Sequence, residues 1–221
     1  MRILSYNVWG LPFCASKRRC NAIAEYIRSI LPTCDVVVLQ EVWATQMKEC
    51  IRRVLGDAGW TLVESPPPTG MFRINGGVWM ATPHPIRGSA SYLPFEHSSG
   101  TDTFAEKGAL SFCIRETTTG FVHRIVGFHM QNGEHKTGIR KSQARQMLSE
   151  YGLDATYVGD TNEPSRALDS IMAIPGIRPL CATHANDGCI DYAFSSIDEL
   201  SAEILCAPAG LSDHFPVMFS S

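Results

Sequence analysis

In Val36-Val37-Val38-Leu39-Gln40-Glu41-Val42-Trp43 a continuous apolar run, read as a strand from Asp35 to Glu41, ends in a carboxylate. Burying an acid at such a point is costly unless something cationic meets it. A divalent metal is one such partner and an arginine is the other. Working outward, further runs read as strands with a polar residue at or near one end. They are Arg2 to Val8 with Asn7, Val122 to His129, Thr156 to Asp160, and Cys189 to Phe194 with Asp191. The terminal Ser212-Asp213-His214-Phe215-Pro216-Val217 places an acid beside an imidazole on the edge of another short apolar strand. Strand ends converge at one rim of a sheet, so residues scattered through the sequence meet in one site.

Between these strands lie amphipathic segments that read as helices: Ser16 to Leu31, Ala44 to Gly59 and Gly138 to Tyr151. Ser16 and Thr45 suit helix starts, and Gly56 and Gly152 suit helix ends. Gly76 to Ala81, Ala109 to Ile114, Ala202 to Cys206 and Phe215 to Phe219 supply more strands. Strands alternating with helices are the pattern of an α/β or α+β sandwich. There is no repeat, and Ser65-Pro66-Pro67-Pro68-Thr69-Gly70 is a stiff loop too short to link domains.

Composition narrows the function. A chain of 221 residues with 44% hydrophobic content is expected to form one domain, residues 1 to 221, and a monomer. Nineteen basic against 22 acidic residues give a formal charge of -3, which argues against an extended cationic nucleic-acid surface. The densest basic cluster near the rim is Lys17-Arg18-Arg19. No signal-like leader precedes the first strand and no apolar stretch is long enough to span a membrane, so the expected location is the cytoplasm, at most peripheral to membranes. The eight cysteines include no Cys-x-x-Cys and are expected to be reduced and mostly buried. Cys14/Cys20 and Cys181/Cys189 are the close pairs to inspect.

Three further segments carry chemistry. In Gly159-Asp160-Thr161-Asn162 the glycine permits close backbone approach, the acid orients a water or metal, and the amide donates to a phosphate oxygen; a β-turn is the plainer alternative. Gly127-Phe128-His129-Met130-Gln131 ends in an imidazole, and His214 supplies a second for the opposite role. With few acids to spare, Mg²⁺ is a better match than zinc.

These residues make the chain resemble the endonuclease/exonuclease/phosphatase superfamily and, within it, the neutral and bacterial sphingomyelinases. The matching stretches begin at Ser5-Tyr6-Asn7-Val8-Trp9-Gly10-Leu11-Pro12 and Leu39-Gln40-Glu41-Val42-Trp43, and continue with Asn75-Gly76-Gly77-Val78 and Lys107-Gly108. Gly127 to Gln131, Gly159 to Asn162, Ile190-Asp191-Tyr192 and Ser212-Asp213-His214 complete them. The resemblance implies a four-layer sandwich, two packed mixed β-sheets flanked by helices, that hydrolyses a phosphodiester with Mg²⁺, or Mn²⁺ in its place. It implies that Glu41 is the principal metal ligand with Asn7 beside it and Asp213 supporting, and that Asp160 orients the water or the metal. It further implies that Asn162 steadies the transition state, that a neutral His214 is the base oriented by Asp191, and that His129 is the acid or charge stabiliser. Asn7, Lys107 and Gln131 are then the substrate-binding residues. The implied substrate is a choline phospholipid. A nuclease or tyrosyl-DNA-type phosphodiesterase is the alternative, with an inactive binding module the third.

Two departures stand out. The residue before His129 is Phe128 where the family has threonine, which is expected to set an apolar ring beside the site. No counterpart of the long apolar hairpin of secreted bacterial sphingomyelinases is evident. The loop Pro94 to Glu106 is a candidate cleft wall, but its Phe95 and Phe104, with nearby Trp79, are expected in the core.

Overall fold

Strand parity decides which face each residue serves, because successive side chains of a strand point to opposite sides. In the computed structural model, which describes residues 1–13, 15–116, 120–186, 188–196 and 199–221, this parity builds three apolar layers. One six-stranded sheet runs in the order β11 (Ser201–Ile204), β12 (Val217–Ser220), β1 (Arg2–Asn7), β2 (Val36–Gln40), β4 (Trp79–Thr82) and β3 (Thr61–Glu64). The other runs β5 (Ile86–Pro94), β6 (Gly108–Arg115), β7 (Val122–His129), β8 (Thr156–Asp160), β10 (Asp191–Ser195) and β9 (Gly176–Ile177). Both sheets are mixed: β1 and β2 pair in parallel, as do β7 and β8, while the other pairings are antiparallel.

In β2, Val37 and Leu39 face α1 (Lys17–Ile30) and α2 (Thr45–Asp57), and Val36 and Val38 face the second sheet. In the second sheet, Ile125, Val158 and Ala193 meet them. Val126, Phe128, Tyr157 and Phe194 turn outward to α3 (Thr137–Tyr151) and the short α4 (Asp169–Met172). The result is helix, sheet, sheet, helix. Each fully buried side chain of this kind is worth about 1.5–3 kcal/mol, so the two-faced burial of β2 fixes its register firmly. At Gly127 the two sheets come so close that a Cβ would sit 2.7 Å from Val38 Cγ1.

Ser16 caps α1 by accepting from Arg19 N. Ala44, not Thr45, precedes the first helical residue of α2, and it makes no side-chain cap. Phe128 is fully buried on the helix-facing side of β7, so its ring lies in the α3 layer and not beside the site. Trp79 is buried as expected and Phe95 packs against the α3 layer, but Phe104 is 61% exposed. Its 3₁₀ turn, Gly100–Phe104, carries it outward from the core.

The described cysteines are free thiols: Cys20, Cys34 and Cys50 are buried, Cys113 and Cys189 partly so, and Cys181 and Cys206 exposed. Fewer are buried than expected. Cys181 and Cys189 are not bridged, and Cys14, hence its pairing with Cys20, lies outside the described residues. Among the described residues no helix is long and apolar enough to cross a membrane.

Candidate active site

The same parity that makes the inter-sheet layer gathers its polar ends beneath one cleft, where Asp160 lines the floor. His129 is two residues from Gly127, Asp160 two from Val158, Asp191 two from Ala193 and Asn7 two from Ser5, all on inner faces of the sandwich. Register then aligns them, since His129 pairs with Asp160 across β7 and β8, and Asp160 with Asp191 across β8 and β10. All four are about 1% exposed.

Asp160 is the hub. Its Oδ2 accepts from Asn7 Nδ2 at 3.0 Å and lies 3.6 Å from both His129 Nε2 and His214 Nε2. Its Oδ1 accepts from the Asn162 backbone N–H at 2.8 Å. His214 Nδ1 is 3.1 Å from Asp191 Oδ2, which fixes the ring with Nε2 toward the hub. Glu41, just beyond β2, brings Oε1 to 3.8 Å from His129 Nε2, while its Oε2 is buried with no hydrogen-bond partner. Trp9, Glu41 and Asn162 all hold positive φ, at 46°, 60° and 51°. Non-glycine residues in that region carry strain of about 1–3 kcal/mol each, and such strain concentrates at functional sites. A tight contact enforces the Glu41 turn: a Cβ on Gly10 would lie 2.3 Å from the Glu41 carbonyl oxygen.

Trp9, Glu41, Asp160, Asn162 and His214 line a cavity of about 380 Å³. Trp9, Leu11, Trp43, Ile74 and Phe104 form its apolar wall. A second cavity of about 510 Å³ adjoins it through Asn132 and Asn162.

Electrostatics set the two imidazoles apart. Burial holds His129 well below the usual histidine range, helped by Lys107 and His214. Its Nε2 faces two carboxylates and its Nδ1 is buried without a partner, so the neutral ring carries its proton on Nε2. Burial also opposes charge on His214, but Asp191 and Asp160 outweigh it and push the ring up to about 10. The neutral ring that the resemblance assigns to the base therefore requires part of this negative charge to be offset. Burial raises both Glu41 and Asp160 above ordinary carboxylates; Lys107 opposes this at Glu41 and His214 opposes it at Asp160. A raised histidine pKa means the charged ring stabilises the fold fully below the unfolded value near 6.5, and that contribution fades as pH rises through about 10. In metal-free protein, the His214 ring is therefore expected to give imidazolium NMR shifts at pH 8. Added Mg²⁺ should move its titration downward, and a neutral ring at pH 7 without metal would contradict this electrostatic picture.

Other expected residues behave differently. Lys107 lines the cavity, with Nζ bound to the Met130 carbonyl at 3.0 Å and to Asp102 Oδ2 at 2.9 Å. Asn162 also lines it, donating through Nδ2 to the Met130 carbonyl. Gln131 is buried outside the cavity lining: its amide accepts from Ser99 N and donates to the Ser99 and Asn132 carbonyls, pinning the 95–106 loop. Asp213 lines the cavity, but its carboxylate is engaged by Ser212 Oγ and faces His184 Nε2 at 3.6 Å. Arg19 turns inward, donating to the carbonyls of Val8, Trp9 and Leu211.

Sequence reasoning passed over His184, Trp43 and Asp102. The His184 ring stands edge-on to His214 at 4.7 Å, and the Trp43 ring lies 6.0 Å from His129. Among the described residues, His184, Asp213 and His214 are the group whose ligand atoms all lie within 4.8 Å of one another. His184 Nδ1, however, accepts from the Asn186 backbone N–H, which leaves the ring proton on Nε2. That tautomer makes His184 a donor to Asp213 and not a metal ligand. No motif distinguished it from the other histidines.

Residues 4–214 match the model of the Endonuclease/Exonuclease/phosphatase family, and the chain belongs to that family. It is a family whose name spans hydrolysis of phosphate esters. No curated protein sequence matches the chain. Among solved structures it is similar to a beta toxin variant from Staphylococcus aureus with bound magnesium ions, at 17% identity and a TM-score of 0.83 over 100% of this chain and 99% of that one. Sphingomyelinase C from Streptomyces griseocarneus gives 16% identity and a TM-score of 0.76, over 99% and 98% of the two chains. TDP2 from D. rerio, complexed with a single-strand DNA product, gives 16% and 0.70 over 100% and 99%. These likenesses establish the four-layer fold.

Proposed function

We propose that the chain, acting as a single catalytic domain, is a Mg²⁺-dependent phosphodiesterase of the phospholipase C type that releases phosphocholine from a choline phospholipid. The observation that carries this reading is Asp160 Oδ2 at 3.6 Å from both His129 Nε2 and His214 Nε2. In-line displacement needs a base on one side of phosphorus and a stabiliser of the leaving oxygen on the other.

The donor set suits a hard dication. Glu41 offers a buried oxygen without a hydrogen-bond partner, Asn7 an amide beside it, and among the described residues no thiol lines the cavity. Glu41 and Asn7 would hold the ion, with Asp213 supporting the site, and the bound cation supplies neutralisation of the phosphoryl oxygens. His214, oriented by Asp191, takes a proton from the attacking water as the water oxygen bonds to phosphorus and the ester P–O bond breaks. It is competent for this once part of the negative charge of Asp160, Asp191 and Asp213 is offset, which ties hydrolysis to a cation. His129 donates an Nε2–H hydrogen bond to the developing negative charge, Asn162 steadies the phosphoryl oxygens, and the departing alkoxide takes a proton from solvent to leave as the lipid alcohol while His214 returns its proton to solvent.

The cavity wall of Trp9, Leu11, Trp43, Ile74 and Phe104 supports this substrate class, since it suits an acyl or sphingoid chain better than a polyanionic duplex. The inward turn of Arg19 and the net charge of -3 support the same choice. The test is a substrate panel with Mg²⁺: micellar sphingomyelin, lysophospholipid, plasmid DNA and bis(p-nitrophenyl) phosphate. Phosphocholine release is expected from the lipids. Efficient DNA cleavage with no phosphocholine from any lipid would replace this reading with the nuclease one.

A further inference from the structure

Three loops that contribute to the cavity lining also carry large apolar side chains turned to solvent. Phe13 is 100% exposed, Met71 92%, Phe72 85% and Phe104 61%. Isolated exposed apolar residues are ordinary, but several around one opening mark an interaction surface. They belong to three loops, and the cavity lining joins those loops: Leu11 from the first, Ile74 from the second, Phe104 from the third.

The second and third loops are stitched together. Ile74 N donates to the Phe104 carbonyl and Glu106 N donates to the Ile74 carbonyl. Glu106, itself 9% exposed, accepts from both the backbone N–H and the hydroxyl of Thr69. The segment that carries Met71 and Phe72 is thus tied down at each end, at Thr69 and at Ile74, so the two side chains are held outward by a braced loop. Arg73 sits between Phe72 and Ile74 with its side chain half exposed, 3.8 Å from Glu106. Beyond Phe13, Lys17 and Arg18 open α1 as exposed bases.

We propose that this fringe is a docking surface for a phospholipid interface, which seats the cavity mouth against the lipid. Projecting aromatic and Met side chains flanked by Arg and Lys match the acyl boundary and the phosphate layer of a bilayer. The surface is continuous with the cavity's apolar wall through Ile74 and Phe104, so a lipid drawn from the interface never leaves apolar contact on its way to Asp160. Only this last use rests on the lipid-hydrolase reading; docking itself is measured without turnover.

The experiment compares the protein with its M71S/F72S double variant and with Phe13→Ser, none of which changes a residue lining the cavity. Partition into sedimented vesicles of phosphatidylcholine with one fifth phosphatidylserine is measured in chelator, so that no lipid is consumed. The unmodified chain is expected to bind, the double variant to bind at least tenfold less, and Phe13→Ser to show a smaller loss. Turnover of bis(p-nitrophenyl) phosphate with Mg²⁺ should be equal in all three. Failure of that turnover in the unmodified chain would strike the proposed function and leave the docking result standing. Equal vesicle binding by the double variant, or none by the unmodified chain, would overturn the docking proposal. So would a dimer in sedimentation equilibrium that M71S/F72S dissolves, since the fringe would then be a contact between copies of this chain.

Discussion

His214→Asn is expected to lower phosphodiester turnover about 10²–10⁴-fold, the range that a positioned acid–base group contributes. Its Nε2 points to Asp160 and its Nδ1 is held by Asp191, so the substitution removes the one imidazole set between these two carboxylates among the described residues. The acid limb of the pH–rate profile should vanish with the residue, because base action requires the neutral ring. A variant that retains both its rate and its acid limb would transfer the role to another group, with Asp160 the first alternative. The variant should also unfold more easily in metal-free buffer at neutral pH, where the charged ring offsets the buried Asp160 and Asp191.

Glu41→Gln separates metal binding from folding. The Glu41 carboxylate is raised by burial and one of its oxygens is without a hydrogen-bond partner, so in metal-free protein it adds little stability. Thermal unfolding without metal is therefore expected to be no worse in the variant. Added Mg²⁺ should raise the midpoint of the unmodified chain, by the equivalent of about 2.7 kcal/mol at a hundredfold excess over Kd, and leave the variant unmoved. An equal Mg²⁺-induced rise in both would remove Glu41 from the metal site. A severe loss of stability in the metal-free variant would assign it a structural role.

The strands that carry the site were legible because burial on both faces wrote them as apolar runs. Val36–Gln40, Val122–His129 and Thr156–Asp160 lie where the sequence pattern puts them to within a residue. The strands β3, β5 and β9 were not legible. Ile86–Pro94 is largely exposed at a sheet edge and carries Arg, Gly and Ser instead of an apolar run, and Gly176–Ile177 is too short to leave a pattern. In the site, residues at strand ends could be found from their position, since register does the rest. Loop residues could not: His184 reaches His214 only through a bridge between two irregular segments. Phe104 misled because an aromatic among turn residues reads as core, whereas the 3₁₀ turn directs it to solvent. The upward pull on His214 was likewise hidden, because it comes from three carboxylates brought together by folding, Asp191, Asp160 and Asp213.

The most direct measurement is the initial rate of bis(p-nitrophenyl) phosphate hydrolysis by chelator-stripped protein as Mg²⁺ is titrated in. One metal-assisted site built on Glu41 and Asp160 predicts no turnover at zero Mg²⁺, saturable activation, and full reversal by excess chelator. Undiminished turnover in excess chelator would contradict it.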